Sequence, residues 1–306
     1  MSLIRTLSLI AVAALTAQSA EPTSFTLAIA RLDGRLVPFA TFDNGEWDKP
    51  WPEADQASKS PLVIDAIPSI WLKRGERVPT SWTVWPSSGT RSVRTRVRGV
   101  EAVNAHCQRQ VALATDLAPI KGDDHSKRGI AVDTDLVIGG VEEVPASDAQ
   151  RRAAERSILA SFDRLELQES LRSGVSLMVE SPAPSVRIVV LYRERGQVRS
   201  PMYFVAEKAY KNGRPQAGTG CPDRTVLTGW LLPDRTGQLS LKDHDIFFTD
   251  CDGKGIRTAQ ALAALHVSDR SFWILQEHGY EDETFVVVEI TADGVHRQRE
   301  AAGGGC

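Results

Sequence analysis

Short segments in which apolar and polar residues alternate run through most of this chain, separated by Gly, Pro and Ser. In the first half they predict strands at 25–30, 36–42, 61–67, 69–72, 81–85, 92–97, 107–114 and within 129–144. Asp33-Gly34 and Asn44-Gly45 are dipeptides that favour tight hairpin turns. The first half therefore predicts an antiparallel meander folded as a sandwich or a small barrel.

One of these segments has a regular basic face. From Val93 onward, valine or threonine alternates with Arg94, Arg96 and Arg98, and Arg91 precedes them. This alternation is typical of a half-buried strand with one face in water.

A single segment has the period of an amphipathic helix. Ser147 is a suitable N-cap, 149–172 contains neither Pro nor Gly, and Gly174 is a suitable stop. The apolar residues fall close to one face, at Ala154, Ile158, Phe162, Leu165 and Leu171. The sequence thus predicts one long helix, about 148–172, packed on a sheet.

Strand patterns resume after the helix, at 186–192, 202–206, 226–232, 244–249, 271–276, 284–290 and 295–298. The alanine-rich segment 257–265 is compatible with one short helix. This order of elements predicts an α+β, β-rich fold of antiparallel meander sheets with one long amphipathic helix. We expect an N-terminal β-rich domain at 21–146, and a second domain at 147–306 that combines the helix with an antiparallel β domain.

Residues 1–20 have the pattern of a signal peptide. Arg5 precedes a short apolar run, and Ala17-Gln18-Ser19-Ala20 is a small-x-small cleavage site before Glu21. The run is too short for a permanent membrane helix. The sequence therefore predicts export to the periplasm or beyond, with no integral membrane segment after cleavage.

The charge of the mature chain is unremarkable in sign and size. Without Arg5 it has 35 Lys and Arg against 39 Asp and Glu, a formal charge of −4. This balance predicts no general attraction to nucleic acid or to anionic membranes.

Four cysteines remain after cleavage, an even number that favours disulfides in an exported protein. Sequence alone leaves three pairings open. We favour Cys221–Cys251, which bracket a hairpin-like stretch, and this leaves Cys107–Cys306 to fasten the Gly-rich tail to the N-terminal half.

Motifs for catalysis are not evident. There is no G-x-S-x-G elbow, S-x-x-K box or P-loop in a suitable context, so no catalytic residue and no cofactor is assigned. Hard oxygen and imidazole ligands do occur close together, which makes a metal site a hypothesis. The candidate ligands are Asp243, His244, Asp245, Asp250 and Asp252, with His278 and the acids at 281–283 as further members. Lys254 and Ala261 stand where a calcium loop would need ligands, which favours an ordinary turn at 250–255.

Two tryptophans lie in a Pro-rich loop, where exposed aromatic rings can stack on sugars or anchor a partner. Trp47 and Trp51 are therefore the candidate ligand-binding residues. A buried structural role is the alternative for both.

Several motifs carry a family resemblance. They are the segment 30–43 with Trp47 and Trp51-Pro52, the run 106–110, Gly229-Trp230, Asp250-Cys251-Asp252, Phe272-Trp273 and the Gly-rich tail ending in Cys306. The chain resembles a family of exported bacterial proteins, of the kind found in Acidobacteria. The resemblance implies export and a shared fold but transfers no activity.

These observations lead to one expected function and one alternative. We expect an exported, disulfide-stabilised envelope protein, most simply a non-enzymatic binding module for a protein partner or a glycan. The alternative is an exported hydrolase that uses a His/carboxylate site.

Overall fold

The computed structural model describes residues 23–49, 79–87, 91–122, 126–175, 184–197, 199–210, 223–249, 253 and 255–306. The predicted signal peptide and the predicted strands at 61–67 and 69–72 lie outside these residues. The strands before the helix are β1 Ser24–Arg31, β2 Leu36–Asp43, β3 Glu46–Asp48, β4 Ser81–Pro86, β5 Val93–Ala105, β6 Gln108–Thr115, β7 Lys127–Val132, β8 Ile138–Gly139 and β9 Val141–Glu143. After helix α1, Ala149–Ser173, come β10 Val186–Glu194, β11 Met202–Tyr210, β12 Asp223–Pro233, β13 Leu239–Thr249, β14 Thr258–Val267, β15 Arg270–His278, β16 Asp282–Ile290 and β17 Val295–Gly305.

Six antiparallel strands of the first half close into a barrel. Their order is β1-β7-β4-β5-β6-β2, and pairing between β1 and β2 completes the ring. The short strand β3 extends β2 outside the ring. This arrangement confirms the antiparallel β-rich first half that the alternation predicts.

Two further sheets and the helix stack on the barrel as successive layers. The inner sheet has the order β17-β16-β15-β14-β8 and the outer sheet the order β13-β12-β11-β10-β9. Strand β15 shows how the layers form, because Phe272 and Ile274 belong to the core shared with the barrel, whereas Trp273 and Leu275 belong to the core shared with the outer sheet. Alternate side chains of one strand therefore bury two different interfaces.

Helix α1 covers the other face of the outer sheet. Ala154, Ile158 and Phe162 are fully buried with Phe204 and Leu231, as the apolar period predicts. In the described residues the fold class is thus confirmed as β-rich with one long helix.

Two details of the predicted helix are wrong. The N-cap is Asp148 and not Ser147, because the Asp148 carboxylate accepts a 2.7 Å hydrogen bond from the backbone N–H of Gln150. Leu171 is 76% exposed, because it lies about two and a half turns after Phe162 and therefore on the opposite side of α1. Gly174 ends the helix in a left-handed conformation, with φ 70°.

The short helix expected at 257–265 is also wrong, because residues 258–265 lie in strand β14. It pairs with β15 on one side and β8 on the other. Leu262 and Leu265 face the barrel, and Ala259 and Ala264 face the outer sheet. Burial on both faces and two hydrogen-bonded edges outweigh the small intrinsic preference of alanine for helix.

The strands just before α1 join the two parts of the chain. Strand β8 pairs with β14 and β9 pairs with β10, so residues ahead of position 146 complete both later sheets. In the part of the chain that the structure describes, no helix has the length and apolar character needed to cross a membrane.

Candidate functional site

A surface cleft of about 480 Å³ opens between α1 and the adjoining end of the outer sheet. One wall is a face of α1, formed by Gln150, Ala153, Arg156, Ser157 and Ala160. The other wall has two parts. Arg199, Ser200 and Met202 lie at the start of β11, and Pro233, Gly237, Gln238 and Leu239 lie at the β12–β13 hairpin. We call this site the helix–hairpin cleft.

The helix wall follows directly from helical spacing. Residues three and four positions apart lie on the same side of a helix, so 150, 153, 157 and 160 share a face beside the buried one. The Ser157 hydroxyl donates a 3.2 Å hydrogen bond to the backbone carbonyl of Leu239. This bond fastens the helix to the hairpin at the cleft.

The hairpin wall is held by one aspartate. The Asp234 carboxylate accepts hydrogen bonds from the backbone N–H groups of Thr236, at 2.8 Å, and Gln238, at 2.9 Å. The Thr236 hydroxyl, followed by the backbone of Gln238, holds the pKa of Asp234 below its ordinary value. The turn is therefore fixed by an ionised side chain that does not itself line the cleft.

Arg199 lies against this turn. Its Nε would be 3.4 Å from a Cβ placed on Gly237, whose φ of +88° also disfavours a side chain. Because Gly237 has no side chain, the Arg199 guanidinium can pack against the backbone of the hairpin.

The cleft carries positive charge without a compensating acid. Neither the Arg156 nor the Arg199 guanidinium forms an ion pair or a hydrogen bond with another described residue, and no Asp or Glu lines the cleft. Arg193, at the same end of the helix, differs because it bonds to Glu142, Asp148 and Gln150 at 2.6–2.8 Å. Two guanidinium groups without internal partners make the cleft chemically suited to an anion.

Part of the cleft is apolar. Met202 is 1% exposed and lies beside Leu239 and Ala153 in the lining. A volume of this size is within the usual range of small-molecule sites. The arrangement favours a ligand with one acidic end and a C–H-rich face.

Trp47, predicted to bind a ligand, packs into an aromatic group next to the barrel. Its ring centroid lies 5.8 Å from that of Phe25, 5.1 Å from Phe42 and 5.3 Å from Phe272. The indole N–H is buried and has no hydrogen-bond partner among the described residues. Trp51 lies outside the described residues, and ligand binding by the two tryptophans stays a prediction.

Among the candidate metal ligands, the structure separates Asp243 from His244 and Asp245. The Asp243 carboxylate accepts a 2.6 Å hydrogen bond from the backbone N–H of Val295, whereas His244 and Asp245 line a shallow cavity beside the end of α1. Among the described residues, no three His, Cys, Asp or Glu side chains are grouped as a metal ion would need. Asp250 and Asp252 lie outside those residues.

The acids of the later loop take different structural roles. Asp282 pairs with Arg257 at 2.8 Å, and Glu283 is buried beside Lys127 at 2.9 Å. The backbone carbonyl of Glu281 accepts a hydrogen bond from the N–H of Cys306. Of these contacts, the Glu283–Lys127 pair connects the inner sheet to the barrel, and the other two lie along the inner sheet.

A disulfide joins Cys107, next to β6 of the barrel, to Cys306, directly after β17. It is one of the two bonds in the favoured pairing. Cys221 and Cys251 lie outside the described residues.

Arg156 and Arg199 were not found by sequence reasoning. Arg156 is one of several charged residues on the polar side of α1, and Arg199 stands in a connection with no motif. The spacing of residues in sequence contains no signal for this pair, because the cleft exists only where α1 crosses the end of β11 and the β12–β13 hairpin.

Comparisons with models of protein families, with curated proteins and with solved structures found no match to this chain.

Proposed function

We propose that this protein is an exported, disulfide-stabilised binding module that holds an acidic sugar of an envelope glycan in the helix–hairpin cleft. The observation that carries the proposal is the pair Arg156 and Arg199, which face a common cleft without a carboxylate partner. Both residues are exposed, so their guanidinium groups are open to an anionic ligand.

Export is supported by the signal-peptide pattern at 1–20 and by the cross-linked cysteines. Disulfides form and persist mainly in oxidising compartments, so the Cys107–Cys306 bond agrees with an extracytoplasmic location.

An acidic sugar fits the cleft on three grounds. A guanidinium binds a carboxylate through two parallel hydrogen bonds. Ser157 and Gln238 offer polar groups to sugar hydroxyls, and the partly exposed Ala153 and Leu239 offer an apolar surface to the C–H face of a ring. The volume of about 480 Å³ suits one or two sugar rings rather than a folded partner.

Calorimetric titration of the mature chain with galacturonic acid and its short oligomers tests the proposal. We expect saturable binding that the neutral sugar galactose does not show. Replacement by Arg156→Gln or Arg199→Gln should weaken binding about 10- to 100-fold, the usual loss for one charged hydrogen-bonding group.

The matched control is Arg164→Gln. Arg164 is on the same helix but outside the cleft, where it bonds to Gln168. Equal affinity for galactose, or equal loss in the control and the two cleft variants, contradicts the proposal. Tighter binding of an acidic peptide than of any acidic sugar would replace the glycan with a protein partner.

The hydrolase alternative receives no specific support from the described contacts. Of its candidate residues, Asp243 is bonded to the backbone of Val295, apart from the cavity that His244 and Asp245 line. We therefore develop the binding module alone.

A further inference from the structure

Arg199 has a long, exposed side chain that must be ordered before it can hold a ligand. A free arginine side chain samples many rotamers, and fixing it on binding lowers the affinity for the ligand. Contacts that hold the guanidinium in place in the free protein reduce this loss. We therefore examined what supports Arg199 in the helix–hairpin cleft.

The backbone of Arg199 is anchored through the next residue. Ser200 is 3% exposed, and its hydroxyl accepts a 3.2 Å hydrogen bond from the backbone N–H of Glu194. The Arg199 side chain extends over Gly237 at the β12–β13 hairpin. Its Cδ, Nε and Cζ would lie 3.4–3.9 Å from a Cβ placed on that glycine. The arginine side chain therefore lies along the backbone of the turn.

The turn beneath Arg199 is closed by hydrogen bonds within residues 234–238. The backbone N–H of Asp234 donates to the Gln238 carbonyl at 2.9 Å, and that of Gly237 donates to the Asp234 carbonyl at 3.0 Å. Three more bonds converge on one atom, Oδ1 of Asp234. This oxygen accepts from the Thr236 N–H at 2.8 Å, the Thr236 hydroxyl at 2.6 Å and the Gln238 N–H at 2.9 Å. Asp234 thus fixes the position of the backbone that supports Arg199.

We propose that Asp234 is a positioning residue of the helix–hairpin cleft, which holds Arg199 in the orientation that binds the acidic group of the ligand. Asp234 does not line the cleft, so it acts through the turn and the turn acts through Arg199. Arg156 belongs to the helix wall, and Asp234 should leave it unaffected. The inference rests on the proposed function for the ligand, whereas the support of Arg199 is a property of the free protein.

Nitrogen-15 relaxation of the arginine Nε–H groups, measured on the mature protein without sugar, tests the support directly. We expect the order parameter of Arg199 to decrease in Asp234→Ala, and that of Arg156 to stay unchanged. Asp234→Asn keeps an amide oxygen in the place of Oδ1 and should retain most of the order. An Arg199 side chain that is equally mobile in the wild type and in Asp234→Ala overturns the proposal.

Calorimetric titration with galacturonic acid measures the consequence for binding. If Asp234→Ala leaves Arg199 correctly placed for about a tenth to a third of the time, the apparent affinity falls about 3- to 10-fold. In protein that already carries Arg199→Gln, the same substitution should change affinity less than about twofold, because the side chain that it positions is gone. An equal loss in both backgrounds shows that Asp234 does not act through Arg199, and this result also overturns the proposal.

The matched control is Asp33→Ala. Asp33 holds the β1–β2 hairpin of the barrel in a similar way, because its carboxylate accepts a 3.1 Å hydrogen bond from the N–H of Arg35. This variant should leave sugar affinity and the order of Arg199 unchanged. An affinity loss equal to that of Asp234→Ala means general destabilisation and contradicts the positioning role. Absence of galacturonic acid binding by the wild type refutes the proposed function, whereas the relaxation data still decide whether Asp234 positions Arg199.

Discussion

Lys127 and Glu283 form a buried ion pair between two layers of the fold. The Lys127 ammonium lies 2.9 Å from the Glu283 carboxylate, and the two side chains are 5% and 3% exposed. Lys127 begins strand β7 of the barrel, and Glu283 belongs to β16 of the inner sheet. Gln276 donates a further 2.6 Å hydrogen bond to the same carboxylate oxygen. The pair thus connects the barrel to the sheets at a point where water is excluded.

Breaking this pair on one side should be costly. Glu283→Gln or Lys127→Met leaves the other charge buried without its partner, and we expect a loss of about 3–5 kcal/mol in the free energy of unfolding. The double variant should recover most of this loss, because no uncompensated charge remains. Urea unfolding at pH 7 measures the free energy of unfolding of the two single variants and the double variant.

The control is Asp135→Asn, which breaks the exposed Arg94–Asp135 pair. It should lower the free energy of unfolding by less than about 1 kcal/mol. Single variants as stable as this control would show that the buried pair does not join the layers.

The Cys107–Cys306 disulfide closes a very long loop, with 199 residues of sequence separation. Replacing both cysteines by serine should lower the free energy of unfolding by about 3–5 kcal/mol in the chain-entropy model. Denaturant unfolding under oxidising conditions measures the loss. A reductant should destabilise the serine variant further if Cys221 and Cys251 are also bonded, and peptide mapping without reduction identifies that bond directly. A serine variant with unchanged stability would contradict the expected constraint.

Tyr210 is buried where α1 meets the outer sheet. Its hydroxyl donates a hydrogen bond to the Glu166 carboxylate, and burial together with this carboxylate raises the pKa of Tyr210 to about 12. The unfolded chain releases the tyrosine proton near pH 10. Between about pH 10 and 12 the unfolded state therefore binds fewer protons than the folded state, and stability falls as the pH rises.

Tyr210→Phe should remove the part of the alkaline loss of stability that comes from this tyrosine. We expect the free energy of unfolding of the variant to decrease less steeply than that of the wild type between about pH 10 and 12. Measurements at pH 8 give the cost of the lost hydrogen bond alone, since the tyrosine is protonated in both states there. Parallel pH profiles for the two proteins would refute the assignment.

Trp47 contributes to the packing of the barrel whether or not it meets a ligand. Because Trp47 packs against Phe25, Phe42 and Phe272, we expect Trp47→Ala to lower the free energy of unfolding by about 3 kcal/mol. Trp47→Phe keeps an aromatic ring and should cost less. Thermal unfolding in the absence of sugar measures this effect separately from binding. If Trp47 also contacts a ligand, its variants lower sugar affinity in folded protein, whereas a purely structural role leaves affinity unchanged.

Several elements could be predicted because their signals are local. The arginine alternation around Arg94 identifies β5, and the apolar period of Ile158 and Phe162 identifies α1. The segment 257–265 could not be predicted in this way, because its neighbours β8 and β15 decide that it is a strand.

Buried polar groups show the same limit. Glu166 is a charged residue on the buried face of α1, four positions after Phe162. It is 2% exposed and accepts hydrogen bonds from Lys208, Tyr210 and Thr225. Its burial is compensated by partners on β11 and β12, and nothing near Glu166 in the sequence indicates them.

The sequence by itself determined the β-rich class, the single long helix and the hairpin turns, since these depend on periodicity and on residues that are close in the chain. The tertiary structure decided that six strands close into a barrel, that Cys107 meets Cys306, and that Arg156 and Arg199 share one cleft. The physical reason is that strand order and layer packing bring together residues far apart in the chain. Their meeting depends on the burial of whole sheet faces and not on any local pattern.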